Sequence, residues 1–416
     1  MTTTQQRARP GRSRLLWVLL GLFALIASAI PLVWHYLVAT PQEVWQVDLQ
    51  VYREGARALA GGRPLYDLRT EQPQFLPFTY PPFAAFTALP LLLASFRVIG
   101  WVWTIGQLAL LWYTVGLAFR PFLERFGERF GLAQGLVAAA CVWLMPVSEG
   151  VRFGQVNAVI VALCLWDLTR PTAARWDGGS GAGVALAAAV KLTPAVFWLH
   201  WAVARRWRAL WVSIGTAALV TVASALVLPP ASASYWTDAM LDPDRLGPNA
   251  GTSNQSLRGF LLRLGPQEGL LASAIWLAAV LLVIAAGLTL SRRFDRAGDG
   301  VAVVATVGLV AFLISPVSWV HHLHWGVVVI GALLGTGRDP RRVIAALVGA
   351  ALLWMRLPWW GANLVADPEV PRFIARVVQN SFTEWALLAL LALWLLSGRA
   401  VTAVSQAQPK SEPALA

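Results

Sequence analysis

The chain has 416 residues, 57% of them apolar and only 13% charged, and it carries 22 Trp. Soluble globular chains have about 25% charged residues, so a soluble domain is excluded, and the apolar residues come in runs long enough to cross about 30 Å of hydrocarbon as helices. The net charge of +12 comes from basic residues clustered between those runs, which is the positive-inside pattern of a multi-pass membrane protein and not a nucleic-acid-binding face.

The motif RARPGRSR precedes an apolar run at 15–38. That run is too long for a signal peptide and lacks a small-residue cleavage site, so an uncleaved first span is expected, with 1–14 as a cytoplasmic tail. Residues 39–82 then form a first outer loop. Within it, VWQVDLQVYREGARALAGG interleaves Asp48, Arg53, Glu54 and Arg57 with Leu49, Tyr52, Ala56 and Leu59. The i, i+3, i+7, i+10 spacing puts the apolar set on one helix face. It predicts a helix lying in the membrane–water interface, ended by Gly61-Gly62, with Asp48 at its start. Asp48 reads there either as an N-cap or as a catalytic carboxylate aimed at the membrane mouth. The Pro-, Gly- and aromatic-rich stretch that follows is an ordered loop descending onto the membrane, and Tyr80-Pro81-Pro82 makes a rigid start to the next helix.

Apolar segments follow at 83–95, 98–119, 132–147 and 158–168, separated by RPFLERFGERFG and RFGQVN and closed by the basic turn RPTAARW. Residues 181–204, with Lys191 and Pro194 in the middle, read as one kinked span or as two half-helices meeting at KLTP. Further spans are expected at 209–228, 270–290, 301–314, 324–335, 343–357 and 386–396, with a second large outer loop at 229–268. The polar tail 399–416 is expected to be disordered and cytoplasmic. Keeping the turns near Arg125, Arg175 and Arg206 cytoplasmic gives about twelve crossings between residues 15 and 398. The fold class is then an all-α polytopic membrane protein of the plasma membrane, with both termini cytoplasmic. This choice also puts TYPP, RFGQVN, KLTP, the second loop and SPVSWVHH on the outer side with Asp48. No repeat of the kind that marks many transporters is visible. Cys141 and Cys164 lie inside apolar runs without metal-ligand spacing and read as core residues.

Ionisable groups within apolar spans are functional by default. Lys191 and Arg152 read either as snorkelling cations or as cations for a lipid-linked phosphate. His321, His322 and His324 are three of only five histidines. His321 and His324 share a helix face, but no carboxylate accompanies them, so no metal and no cofactor are expected. Hydrogen bonding to phosphate or sugar by His322 is the favoured reading. Gln155 and Asn157 in GQVN, and Asn254 and Gln255 in TSNQS, suit turn chemistry or sugar hydroxyls. The motifs of nucleotide hydrolysis, serine hydrolysis and zinc proteolysis are all missing. No carboxylate pair for a divalent-metal sugar-phosphate site stands beside Asp48 either.

Taken in order, DLQVYREGARALAGGRPLYD, TYPP, GQVNAVI, KLTPAVF, NQS and SPVSWVHH resemble glycosyltransferase family 87. Its members are actinobacterial polyprenol-phosphate-mannose-dependent α-1,2-mannosyltransferases. The resemblance covers roughly residues 15–335 and implies a GT-C membrane fold. It implies a polyprenyl-phosphate sugar donor and a glycolipid acceptor among the membrane lipids, and no nucleic-acid partner. It also implies a catalytic Asp in the first outer loop, where Asp48 stands, as general base on the extracytoplasmic face. Lys191, His322 and Arg152 are then expected to hold the donor phosphate. Tyr52, Tyr80, Gln155, Asn157, Asn254, Gln255, Trp319 and His321 are expected to hold sugar or acceptor. Alternatives are an arabinofuranosyltransferase with a polyprenyl-phosphate arabinose donor, a lipid-linked sugar transporter or flippase, and a structural membrane subunit.

Overall fold

The computed structural model describes residues 10–41, 44–170, 181–242, 244–265 and 269–407. The turn carrying Arg175, most of the 1–14 tail and the chain beyond 407 lie outside the described residues. Helices form the fold, and pairing of extended segments among the described residues is limited to two isolated bridges, Arg69 with Pro77 and Asn254 with Trp319. The protein is all-α, as composition and periodicity require.

The first span is α1 (Pro10–Trp34), continued by a π turn at His35–Ala39. The interfacial helix is α2 (Val47–Ala60), capped at its C-terminus by Gly61 as expected. After the loop come α3 (Pro82–Thr87), opened by the tandem prolines, and α4 (Phe96–Ala118). A short α5 (Arg120–Leu123) leads through the charged turn into α6 (Phe130–Cys141). The expected span 132–147 is broken. The chain bends by 78° between α6 and α7 (Met145–Phe153), because Pro146 suits the first turn of a new helix and not the interior of an old one. Next is α8 (Asn157–Thr169). KLTP separates two half-helices, α9 (Ala182–Val190) and α10 (Val196–Ala204), with Lys191 extended at the break (φ −149°, ψ 124°).

Then follow α11 (Trp207–Val227), α12 (Pro229–Ser234), α13 (Leu257–Leu264) and α14 (Leu270–Arg296). A central pair, α15 (Gly300–Ile314) and α16 (Gly326–Leu334), is preceded by α14 and followed by α17 (Pro340–Trp354). Last come α18 (Leu357–Ala366), α19 (Arg372–Gln379) and α20 (Ser381–Ala407). The sequence reading had no α19. It also ended the last span before a disordered tail, whereas α20 continues to Ala407.

Burial sorts these helices by environment. Residues Ala302 through Leu313 of α15 are buried all round, which an apolar helix must be inside a protein or a bilayer. The peripheral helices instead turn large side chains outward, with Phe23 at 70%, Leu226 at 78% and Leu270 at 90% exposure. In water such a surface would aggregate; in lipid it is the matched one. Four helices are by themselves long and apolar enough to cross a bilayer, at Ser13–Ala39, Phe96–Ala118, Trp207–Val227 and Leu270–Arg296, or up to seven if each bent pair is one span. Asn157–Thr169, Gly300–Ile314 and Val320–Leu334 are apolar but shorter. Helices α1 and α6 touch at backbone level. A Cβ on Gly21 would stand 2.1 Å from the Gly131 carbonyl oxygen, so small residues are what let this crossing close.

Candidate functional site

Asp48 sits in the first turn of α2, but it is not the cap. Gln46 holds the N-cap position in the left-handed region (φ 35°), and among the described residues no side chain caps this helix. Gln46 is fully buried, its Nε2 donating to Thr104 Oγ1 at 2.7 Å and to the Gly100 carbonyl at 3.3 Å. A strained residue tied down this firmly fixes where α2 begins. Gly154 fixes how close it comes. This residue ends α7 at φ +68°, and a Cβ there would lie 2.7 Å from Leu49 Cβ. Only glycine satisfies both the turn and the approach. It brings GQVN directly against the Asp48 end of α2.

A chain of hydrogen bonds follows from that approach. The Tyr52 hydroxyl donates to Gln155 Oε1 at 3.2 Å, and Gln155 Nε2 donates to Asp48 Oδ2 at 2.5 Å. Tyr52 and Tyr80 share a hydroxyl contact at 3.0 Å, and Gln107 holds the Gln155 carbonyl at 2.9 Å. Asp48 Oδ1 has no partner among the described residues. Burial pushes the Asp48 carboxyl up to about 6, against partial offsets from the Gln155 hydrogen bond and the Lys191 charge. Burial likewise raises Tyr52 and Tyr80. The two hydroxyls therefore stay protonated beside a carboxylate that is mostly ionised at neutral pH.

The cationic side of the site comes from the KLTP break and SPVSWVHH. Lys191 Nζ donates to Asn157 Oδ1 at 3.2 Å and lies 2.9 Å from His322 Nε2. His322 Nδ1 accepts the Trp319 amide at 3.2 Å. A neutral imidazole that accepts at Nδ1 carries its proton on Nε2. The Nε2–H and the Lys191 ammonium are therefore two donors side by side, and an anionic oxygen next to them that accepts from each would satisfy both.

Both halves face one cavity of about 640 Å³ lined by Asp48, Tyr80, Gln155, Lys191, Trp319 and His322. Its remaining wall includes Tyr235, Asp242, Arg245 and Arg258 from the second large loop, and Ser315–Val317. TYPP, GQVN, KLTP, the second loop and SPVSWVHH thus meet at Asp48. Tyr52 and Asn157 stand behind the lining and orient it. A larger cavity, about 890 Å³, lies among Arg170, Arg205, Arg206 and Asp295 and holds none of these motifs.

Four residues expected at the site are elsewhere. Arg152 is half exposed and, with Arg356, pairs with the buried Glu149 at 3.2 Å, so it is engaged away from the cavity. Asn254 and Gln255 are fully buried and their amides are spent on backbone. Asn254 holds Asn249, Pro316, Ser256 and Ser318; Gln255 holds Thr252, Gln379, Phe382 and Thr383. No polar atom of either is left for a sugar. His321 packs edge-on between Phe153 and His322, and its backbone carbonyl accepts from Asn157 Nδ2. Cys141 and Cys164 are buried and unpaired.

Sequence reasoning missed Arg245 and Arg258. Arg245 donates to the Tyr66 carbonyl and its guanidinium lies 5.8 Å from the Tyr66 ring centroid. Arg258 lies in the first turn of α13, behind the Ser256 cap whose Oγ accepts the Gly259 amide at 3.1 Å. The signal for it was present, since Ser before an amphipathic LRGFLLRL announces a helix start.

Comparison with known proteins follows this geometry. Residues 78–316 match glycosyltransferase family 87. The chain is 33% identical, over 95% of its length and 93% of the relative's, to the polyprenol-phosphate-mannose-dependent alpha-(1-2)-phosphatidylinositol mannoside mannosyltransferase of Mycobacterium tuberculosis. It belongs to glycosyltransferase family 87. A second relative, the polyprenol-phosphate-mannose-dependent alpha-(1-2)-phosphatidylinositol pentamannoside mannosyltransferase of Mycolicibacterium smegmatis, is 36% identical over 86% of this chain and 83% of its own length. No solved structure matches. As a family 87 glycosyltransferase the chain is an enzyme, and the transporter and structural-subunit readings are set aside.

Proposed function

We propose that this enzyme transfers mannose from polyprenyl-phosphate mannose to a mannosylated inositol lipid on the outer face of the plasma membrane, with inversion at the anomeric carbon. Two relatives bear names that specify this donor and phosphatidylinositol mannoside acceptors. The observation that carries the reading is one cavity with a carboxylate on one wall and a pair of adjacent donors, Lys191 and His322, on another.

In this mechanism Asp48 Oδ1 removes the proton from the acceptor hydroxyl as its oxygen attacks the anomeric carbon. The bond from that carbon to the phosphate oxygen breaks, and its electron pair leaves with polyprenyl phosphate. Lys191 Nζ and His322 Nε2 donate to the phosphate oxygens and stabilise the growing charge. Gln155 keeps Oδ2 occupied, so that Oδ1 is the basic atom. Trp319 and Tyr80 offer ring faces to the sugars. Positive-inside placement of the Arg125 and Arg206 turns supports the outer face, since the motifs of the site lie at the opposite ends of the same spans.

The test is sugar transfer by membranes carrying the wild-type chain, supplied with polyprenyl-phosphate mannose and mannosylated inositol lipids. A new α-linked mannoside supports the proposal. Transfer only from polyprenyl-phosphate arabinose would overturn the donor assignment, and transfer from neither would overturn the reaction.

A further inference from the structure

Arg258 belongs to two hollows at once. It lines the cavity of Asp48, Lys191 and His322, and it also lines a separate groove of about 570 Å³ between α13 and the first turns of α14. That groove is walled by Leu261, Leu262, Ala272, Ile275 and Trp276. Of the four long apolar spans, α14 is the least buried, so the groove opens where lipid hydrocarbon lies. The Arg258 guanidinium carbon stands 5.9 Å from the Trp276 ring centroid, and this cation–π contact holds the charge across the gap between the hollows.

A ligand matched to this junction has a reacting sugar in the cavity, an anionic group at the neck and a long apolar tail outside. We infer that the α13–α14 groove seats the first isoprene units of the donor, with Arg258 joining Lys191 and His322 on its phosphate from the groove side of the cavity. This rests on the mannosyl-transfer reading above. The donor fits better than the acceptor. Its phosphate is bonded to the very carbon that reacts, so its tail must leave the cavity within one sugar of Asp48. In a mannosylated inositol lipid, the phosphate is separated from the accepting mannose by inositol and other sugars. Because bilayer tails are as apolar as the groove, the groove adds little affinity by hydrophobicity alone. Its effect is to aim the phosphate, and affinity comes from the cation.

The experiment uses the purified full chain in phosphatidylcholine vesicles, with a diazirine-bearing polyprenyl phosphate that carries no sugar. Label is expected on peptides spanning 257–276, competed by unlabelled polyprenyl phosphate and lost in Ala272→Trp. Leu262→Trp serves as a second blocking variant if the first melts early. In kinetics, Arg258→Ala and Ala272→Trp are expected to raise KM for the long-chain donor about tenfold or more, while Ala272→Trp stays within about threefold of wild type with a short, water-soluble mannosyl phosphate. Label elsewhere, or equal losses with long and short donors, overturns the inference. So does label on 257–276 that only a phosphatidylinositol mannoside competes. A protein that labels as expected yet transfers no mannose keeps the groove and loses the proposed function, and the reverse pattern loses the groove alone.

Discussion

Replacing Asp48 with Asn separates a base from a structural carboxylate. Among the described residues the side chain makes one hydrogen bond, from Gln155 at 2.5 Å. The packing of α2 comes instead from buried Leu49, Val51, Tyr52 and Ala56. Asn retains an oxygen to accept from Gln155 but no lone pair that can take a proton. Losing a positioned general base costs about 10²–10⁴ in rate, or about 2.7–5.4 kcal/mol of transition-state stabilisation. Stability is expected to move the other way. The folded carboxyl titrates near 6, above its ordinary 3.8. A raised value favours the folded state fully below the unfolded pKa, and the benefit is lost as pH rises through about 6. At pH 7 the ionised group is therefore a net cost, which Asn removes. Turnover should collapse while the melting temperature holds or rises, read by mannosyl transfer and by thermal unfolding of the same preparation. A variant that keeps more than about a tenth of the wild-type rate, or one that melts early and loses donor binding, would refute the assignment.

The wild-type rate should rise with pH through about 6 and level off, falling about tenfold from pH 7 to pH 5, as a base of that pKa requires. Gln155→Leu removes the hydrogen bond that favours the charged carboxylate, so a pH–rate profile should show this rising limb at higher pH. Lys191→Met should raise KM for the donor by about tenfold to a hundredfold and also move the limb upward, because its charge now favours the Asp48 carboxylate. Gln255→Leu leaves the Gln379 and Thr252 carbonyls and the Phe382 and Thr383 amides unanswered. It should destabilise the fold by about 1–3 kcal/mol or more in thermal melts, whereas a sugar-binding role would change KM and leave the melt alone.

Where the sequence was legible, a period or a special residue carried the signal. The 3.6-residue spacing of α2 and its Gly-Gly end marked a polar helix between apolar runs, and the ordered motifs marked the cavity wall. Placement of the spans was less legible where apolarity is continuous. The α6–α7 bend falls inside a run whose only break signal is Met145-Pro146, and α19 is too short and too polar to register. Asn254 and Gln255 illustrate a different gap. An amide in a loop looks the same in sequence whether it faces a hexose or a carbonyl, and only the fold brings Gln379 and Thr383 to Gln255. Asp48 as N-cap was a local rule overridden by tertiary contact, since buried Gln46 took the first position.

The knot around Gln255 also bears on how the enzyme is made. Every described residue lining the cavity lies within 48–322, yet the loop that carries Arg258 is fastened to the start of α20. Gln255 binds Gln379, Phe382 and Thr383, and Arg263 Nε donates to Asn380 Oδ1 at 2.8 Å. On the ribosome that loop emerges more than a hundred residues before its fastening, and it must wait at the membrane surface until the last span arrives. A nascent chain released ahead of residue 379 would contain all the described lining of the cavity and still lack the residues that fasten its second loop. Truncation ahead of residue 379 is therefore expected to abolish activity although the cavity's described lining is complete, as a transfer assay on the shortened chain would show.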